Sequence, residues 1–182
     1  DTIVVFFHDN GPNGNRWNGD MEGRKGSTEE GGTRSPLLIK WPNGIKPGTK
    51  VMQIASVRDL MPTLCELAGV NEKPSKFIDG KSLKPLLLGN VNEWKSRTLI
   101  STWKGKVGVR EARFRLGYKG RLFDMVKDPG QRVDVSKEFP KVMERLQKRK
   151  NFFQSKVLDK VGEDNRPFVI GPPEVSWTQI PA

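Results

Sequence analysis

Asp9 and Asn10 place a carboxylate and a carboxamide side by side, directly after an apolar run, Ile3-Val4-Val5-Phe6-Phe7, and directly before Gly11-Pro12. Such oxygen donors suit a hard cation, Ca²⁺ or Mg²⁺, rather than zinc or copper. Asp-Asn-Gly is equally ordinary turn chemistry. Beyond the turn the chain becomes rich in Gly, Asn and charge, and a loop carries Arg24-Lys25-Gly26-Ser27-Thr28. Glycines let backbone approach a ligand closely, so this stretch reads as a binding loop, although a lysine in a polar loop is ordinarily solvated surface. Lys25-Gly26-Ser27 is not a phosphate-cradling P-loop, which needs Gly-Lys-Ser in that order after an earlier glycine.

Positioning these groups requires a framework. An unbroken apolar run such as residues 3–7 suits a strand buried on both faces, as in a parallel sheet, and ligands of open α/β sheets bind beyond the carboxyl ends of the strands. Leu37-Leu38-Ile39 offers a second strand of that kind, so the rest of such a sheet must come from residues outside this sequence. A small antiparallel sheet is the alternative for residues 3–7. A helix is predicted with Asp59 as N-cap, Pro62 in the first turn and Gly69 as the stop, its core face formed by Leu60, Met61, Leu64, Leu67 and Ala68. Cys65 on that helix reads as a small buried apolar residue.

A Pro-, Gly- and Lys-rich connector follows, anchored by Leu83 and Leu86-Leu87-Leu88. Four short segments, residues 98–103, 106–109, 113–118 and 121–123, then recur at hairpin spacing and predict an antiparallel sheet. A helix beginning near Pro140 presents Val142, Met143 and Leu146 on one face and Lys141, Arg145, Lys148, Arg149 and Lys150 on the other, the cationic face reading as solvated surface. The prolines of the last stretch predict an irregular tail.

The 182 residues carry 32 Lys and Arg against 21 Asp and Glu, a net charge of +11. That balance favours an anionic partner without choosing which. Trp17, Trp41, Trp94, Trp103 and Trp177 are dispersed rather than grouped into a stacking platform, so no nucleic acid is expected. No stretch has the length of a transmembrane helix. One cysteine excludes an internal disulfide framework.

Several of these segments, taken together and in order, carry a resemblance. His8-Asp9-Asn10-Gly11-Pro12, the loop from Gly23-Arg24-Lys25 through Glu29-Glu30-Gly31-Gly32, Arg34-Ser35-Pro36, Asp59-Leu60-Met61-Pro62-Thr63-Leu64 and Asp79-Gly80-Lys81-Ser82-Leu83 resemble the sulfatases, the arylsulfatase type in particular. Val109-Arg110, Phe114-Arg115-Leu116, Leu122-Phe123-Asp124 and Asp128-Pro129-Gly130 extend the likeness over nearly the whole chain. It implies the C-terminal part of an alkaline-phosphatase-like α/β fold, a mixed sheet with flanking helices. To this it adds a small four-stranded antiparallel sheet packed with a C-terminal helix. The domains implied are residues 1–92 for the catalytic segment, 93–160 for the small subdomain and 161–182 for the tail.

The resemblance also implies roles. Asp9 and Asn10 would be two ligands of one divalent cation, usually calcium with magnesium possible, and Lys25 would bind the sulfate group and serve catalysis. His8 would contact substrate or support its neighbours structurally. Charge develops on the oxygens of a sulfate ester as it cleaves, and a cation and an ammonium aimed there stabilise it. The family's nucleophile, a formylglycine made from Cys or Ser, is not in this chain, because Cys65 in Leu64-Cys65-Glu66-Leu67 lacks the required proline. The expected function is thus part of a sulfuric ester hydrolase, with a sulfate ester, such as a sulfated carbohydrate, as substrate. The missing N-terminal part of the same fold would be its partner, in a periplasmic, secreted or lysosomal-type compartment. The alternative is a non-catalytic basic module that binds sulfated or other polyanionic polymers. Arg16, Trp17, Trp103 and Lys104 are placed at the rim of the substrate entrance.

Overall fold

The computed structural model describes residues 2–14, 17–70 and 77–162, with the backbone alone of residues 168–170 and 178–180. The chain divides into two compact units, Asp1–Lys150 and Asn151–Ala182.

The first unit opens with β1 (Val4–Phe7), runs through the glycine-rich loop to a single helical turn, α1 (Glu30–Thr33), and returns as β2 (Leu37–Lys40). The two strands pair antiparallel, Val5 opposite Ile39 and Phe7 opposite Leu37. This corrects the doubly buried, parallel strand expected for residues 3–7, since Val4, Phe6, Phe7 and Leu38 are 42–62% exposed. A two-stranded ribbon satisfies backbone hydrogen bonds on one edge only, and while Val4, Phe6 and Leu38 stand exposed on one face, Val5, Leu37 and Ile39 on the other are half-buried.

A 3₁₀ turn (Val57–Asp59) leads into α2 (Leu60–Leu67). Asp59 stands at the predicted start, yet its carboxylate makes no side-chain cap for α2. It accepts instead from the Ser56 N–H at 2.7 Å, the Lys81 N–H at 2.9 Å and the Arg97 guanidinium at 2.8 Å. The Thr63 hydroxyl accepts the Leu83 N–H at 2.8 Å. Polar links therefore fasten α2 to the following chain. Met61 and Leu64, expected on a core face, are exposed, while Thr63 is buried and the Cys65 thiol is half-buried. α3 (Lys84–Leu87) and a second 3₁₀ turn (Val91–Glu93) follow, anchored by buried Leu83 and Leu86.

β3 (Leu99–Trp103), β4 (Lys106–Arg110), β5 (Phe114–Leu116) and β6 (Leu122–Asp124) then form the expected antiparallel meander. Val109, Phe114, Leu116 and Leu122 pack with Val135 and with Leu146 of α4 (Pro140–Phe153). Ile100, Phe139, Val142 and Met143 flank that cluster. Each large apolar side chain fully buried there contributes about 1.5–3 kcal/mol. The cationic face of α4 is more than solvated surface: Arg145 pairs with Glu111 at 2.7 Å, and Lys150 donates to the Tyr118 carbonyl at 2.8 Å. Burial pushes the Lys150 ammonium down from its ordinary value, against the attraction of Glu29. At the end of β6, Asp124 takes two N–H groups of Arg113 on one oxygen and the Val126 and Lys127 amides on the other. The Arg113 bonds foremost hold that carboxyl below the usual carboxylate range.

In the second unit a π-helical segment (Gln154–Leu158) continues into α5 (Asp159–Val161), and β7 (Phe168–Ile170) pairs antiparallel with β8 (Thr178–Ile180). The fully irregular tail predicted from proline content is corrected to this extent. Both strands are proline-free triplets, and aromatic and β-branched residues such as Phe168 and Val169 favour extended pairing. Among the described residues no helix is long and apolar enough to cross a membrane.

Candidate active-site loop

Four hydrogen bonds close the loop between β1 and β2. The Gly11 N–H donates to Gly32 O at 3.1 Å, the Lys25 N–H to Pro12 O at 3.0 Å, the Gly31 N–H to Glu22 O at 2.8 Å, and the Ser35 hydroxyl to His8 O at 2.7 Å. The backbone at Lys25 is thereby joined to the turn that carries Asp9 and Asn10. Gly11 is required by this closure, because a Cβ there would lie 1.8 Å from Gly31 O. Gly11→Ala is expected to cost about 1–3 kcal/mol, the range for overpacking, measured as a lowered urea midpoint. A midpoint unchanged from native would show that the loop is not fastened at this contact.

Asp9 and Lys25 are exposed and Asn10 is half-buried. His8 is exposed, its ring edge-on to Phe6 with centroids 5.2 Å apart. Among the described residues no group of three or more His, Cys, Asp or Glu side chains is placed to hold a metal ion. Asp9 and Asn10 thus match a hard cation in donor type and fall short of the six to eight oxygens calcium takes.

The residues that hold this loop against the four-stranded sheet carry no role in the sequence-based account. Glu29 and Glu30, just before and at the start of α1, are buried. Arg115 on β5 donates through Nε to Glu29 at 3.4 Å and through Nη1 to Glu30 at 3.1 Å. Arg110 reaches Glu30 at 3.2 Å. Gln131 donates to Glu29 at 2.7 Å and accepts the Glu30 N–H at 2.8 Å, and the Tyr118 N–H donates to Glu29 at 3.3 Å. Burial pulls the Arg115 guanidinium below its ordinary value, opposed by Glu30 and Glu29. Gly108 on β4 leaves room for the crossing: a Cβ there would meet Thr28 O at 2.9 Å and Arg115 Nη2 at 3.3 Å. A signal was present in the two adjacent glutamates and in an arginine flanked by Phe114 and Leu116, since charges of opposite sign in apolar surroundings are buried only as partners.

Of the rim residues, Trp17 is exposed and Arg16 lies outside the described residues. Trp103 and Lys104 sit at the tip of the β3–β4 hairpin, where Lys104 and Gly105 have φ of +44° and +72°. Positive φ at both central residues marks a two-residue turn matched to strand twist. The Trp103 indole nitrogen lies 3.7 Å from the Cβ position of Gly26, so this hairpin borders the Lys25 loop.

Residues 25–156 match the family model described as N-sulphoglucosamine sulphohydrolase, C-terminal. The chain is 46% identical to steryl-sulfatase of Rattus norvegicus over 84 residues, 44% of this chain and 15% of that protein. It is 45% identical to arylsulfatase A of Homo sapiens over 94 residues, 49% of this chain and 18% of that protein. Among solved structures it resembles Ps i-CgsB in complex with k-i-k-neocarrahexaose, at 26% identity and a TM-score of 0.72, over 83% of this chain and 36% of that one. The chain therefore spans less than a fifth of the length of these curated relatives. The fold expected from sequence is the one found: the four-stranded antiparallel sheet and the helix that follows it are present in this chain, and the solved sulfatases it resembles are of the alkaline-phosphatase-like class.

Proposed function

The chain belongs to the sulfatase family, through the N-sulphoglucosamine sulphohydrolase C-terminal region, and on that premise we propose that it supplies part of the active site of a sulfuric ester hydrolase. Asp9 and Asn10 contribute two oxygen ligands to a divalent cation, calcium in first place and magnesium in second. Lys25 grips the sulfate group of the substrate. The nucleophile, a formylglycine, comes from residues outside this sequence, as do the remaining metal ligands and the rest of the fold. A bound divalent cation would supply positive charge at the sulfate oxygens. The 182 residues alone are then inactive. The substrate is a sulfate ester, and the compartment is periplasmic, secreted or lysosomal in type.

The observation that carries this reading is the hydrogen bond from the Lys25 N–H to Pro12 O, which joins the loop of the ammonium to the turn of the two oxygen donors. An exposed lysine and an exposed carboxylate on joined backbone are free to share one ligand. The test uses the complete native protein with Asp9→Ala. Calcium affinity, followed by titration calorimetry, is expected to fall at least about tenfold, with sulfate release lost at calcium levels that saturate the native protein. Unchanged calcium affinity would remove Asp9 from the ligand set.

The net charge of +11 favours a second reading, a basic module that binds sulfated polymers without cleaving them. Salt and chelator separate the two. Binding through many cationic contacts weakens steeply with ionic strength, whereas a metal-centred site fails on chelation.

A further inference from the structure

The β3–β4 hairpin and the turn between β5 and β6 carry cations that the sulfate-gripping role of Lys25 does not use. Trp103 and Lys106 form the last register pair of the hairpin. Trp103 is 51% exposed and borders Gly26, next to Lys25. On the same hairpin Lys106 Nζ stands 5.1 Å from the centroid of the Tyr118 ring, and Lys119 Nζ stands 5.7 Å from it. Tyr118 is pinned on both sides of its backbone, its N–H donating to buried Glu29 at 3.3 Å and its carbonyl accepting from Lys150 at 2.8 Å.

Most cations around this sheet are paired: Arg110 with Glu30, Arg113 with Asp124, Arg115 with both glutamates, Arg145 with Glu111. Among the described residues neither Lys106 nor Lys119 has a carboxylate within ion-pair distance. Each ammonium is drawn to the ring, and two exposed positive charges beside one residue, with no carboxylate of the described residues at ion-pair distance, favour an anionic group in their neighbourhood. An exposed indole beside them offers an apolar face to the C–H side of a sugar ring and an N–H to its hydroxyls. A ligand that satisfies all of this is ring-shaped, hydroxylated and anionic, and it continues from the group bound at Lys25.

We propose that Trp103, Lys106 and Lys119 form a subsite for a second anionic sugar unit, so that the substrate is a sulfated polysaccharide rather than a small aryl or steroid sulfate. The proposal rests on Lys25 as the sulfate-gripping residue. It is tested in the complete native protein with the double variant Lys106→Ala/Lys119→Ala and two substrates, p-nitrophenyl sulfate and a sulfated hexasaccharide prepared from heparin. The expected result is a loss of about fivefold in kcat/KM for the hexasaccharide relative to the small ester, the size set by two exposed charge contacts, together with a shallower dependence of hexasaccharide KM on salt. Equal losses on both substrates, or none on either, would overturn the subsite. Calorimetric binding of the hexasaccharide reports the subsite without turnover. If the native protein cleaves neither substrate, the hydrolase reading fails by itself, and the subsite then stands or falls on whether the double variant binds the hexasaccharide more weakly than native. A DNA oligonucleotide of equal charge that binds as tightly as the hexasaccharide, and loses as much in the variant, would overturn the sugar ligand.

Discussion

Lys25→Ala in the complete protein is expected to lower kcat for sulfate ester hydrolysis about a hundredfold or more, the scale on which removal of one preorganised group facing developing charge is felt. Folding should be spared. The side chain is exposed, and the bond that fastens this part of the loop runs from the Lys25 backbone N–H to Pro12 O, which alanine retains. Sulfate release and the thermal midpoint, measured together, separate the two contributions: turnover collapses while the midpoint stays near native. Lys25→Arg keeps the charge but spreads it over a planar fork, so it should recover part of kcat with an altered KM. Native turnover in Lys25→Ala would take Lys25 out of the reaction.

The four-stranded meander was legible because its signals are local. Glycines punctuate it at Gly105 and Gly120, and alternation along Lys106–Arg110 and Phe114–Leu116 sends Val109, Phe114 and Leu116 to the side that meets Leu146. The start of α4 was legible for the same reason, since Pro140 suits a first helical position whatever surrounds it. Residues 3–7 were harder. Their apolar run records what a strand is suited to touch, and among the described residues the strand paired with it is Leu37–Lys40, so an antiparallel ribbon with Val4, Phe6 and Leu38 exposed results. The face of α2 failed in a similar way: the spacing of Met61 and Leu64 is helical, but the helix is fastened through Thr63 and Asp59. At the candidate site, residue types left Asp9-Asn10 an ordinary turn and Lys25 a solvated lysine, and it was the resemblance that singled them out; the joining of their backbone segments depends on the Pro12 and Gly32 carbonyls, which every sequence supplies and none advertises. The glutamate–arginine crossing was out of reach for a further reason. Glu29 and Arg115 are 86 positions apart, and nothing local states that the Arg115 side of β5 faces the loop.

That crossing should produce the largest stability effect in the molecule. Arg115→Met removes the charge that faces two buried carboxylates at once, and breaking a buried pair from one side costs about 3–5 kcal/mol because the abandoned charge has no water to turn to. Among the described residues Glu29 would keep Gln131 and the Tyr118 N–H, and Glu30 would keep Arg110 and the exposed Arg34. Lysine should not rescue the site, since one ammonium is poorly shaped to serve Glu29 and Glu30 together. Adding Glu29→Gln to Arg115→Met should recover part of the loss by removing one stranded charge, so the two substitutions will be non-additive by about 1 kcal/mol or more in a double-mutant cycle. The check is the urea midpoint of the four proteins. Because Glu29 and Glu30 continue directly from the loop that carries Lys25, Arg115→Met should also lower sulfate release below what its folded fraction accounts for. An Arg115→Met protein as stable as native would mean that the loop is held to the sheet by apolar contact and backbone bonds alone, and the cross-brace would then carry no weight in positioning Lys25.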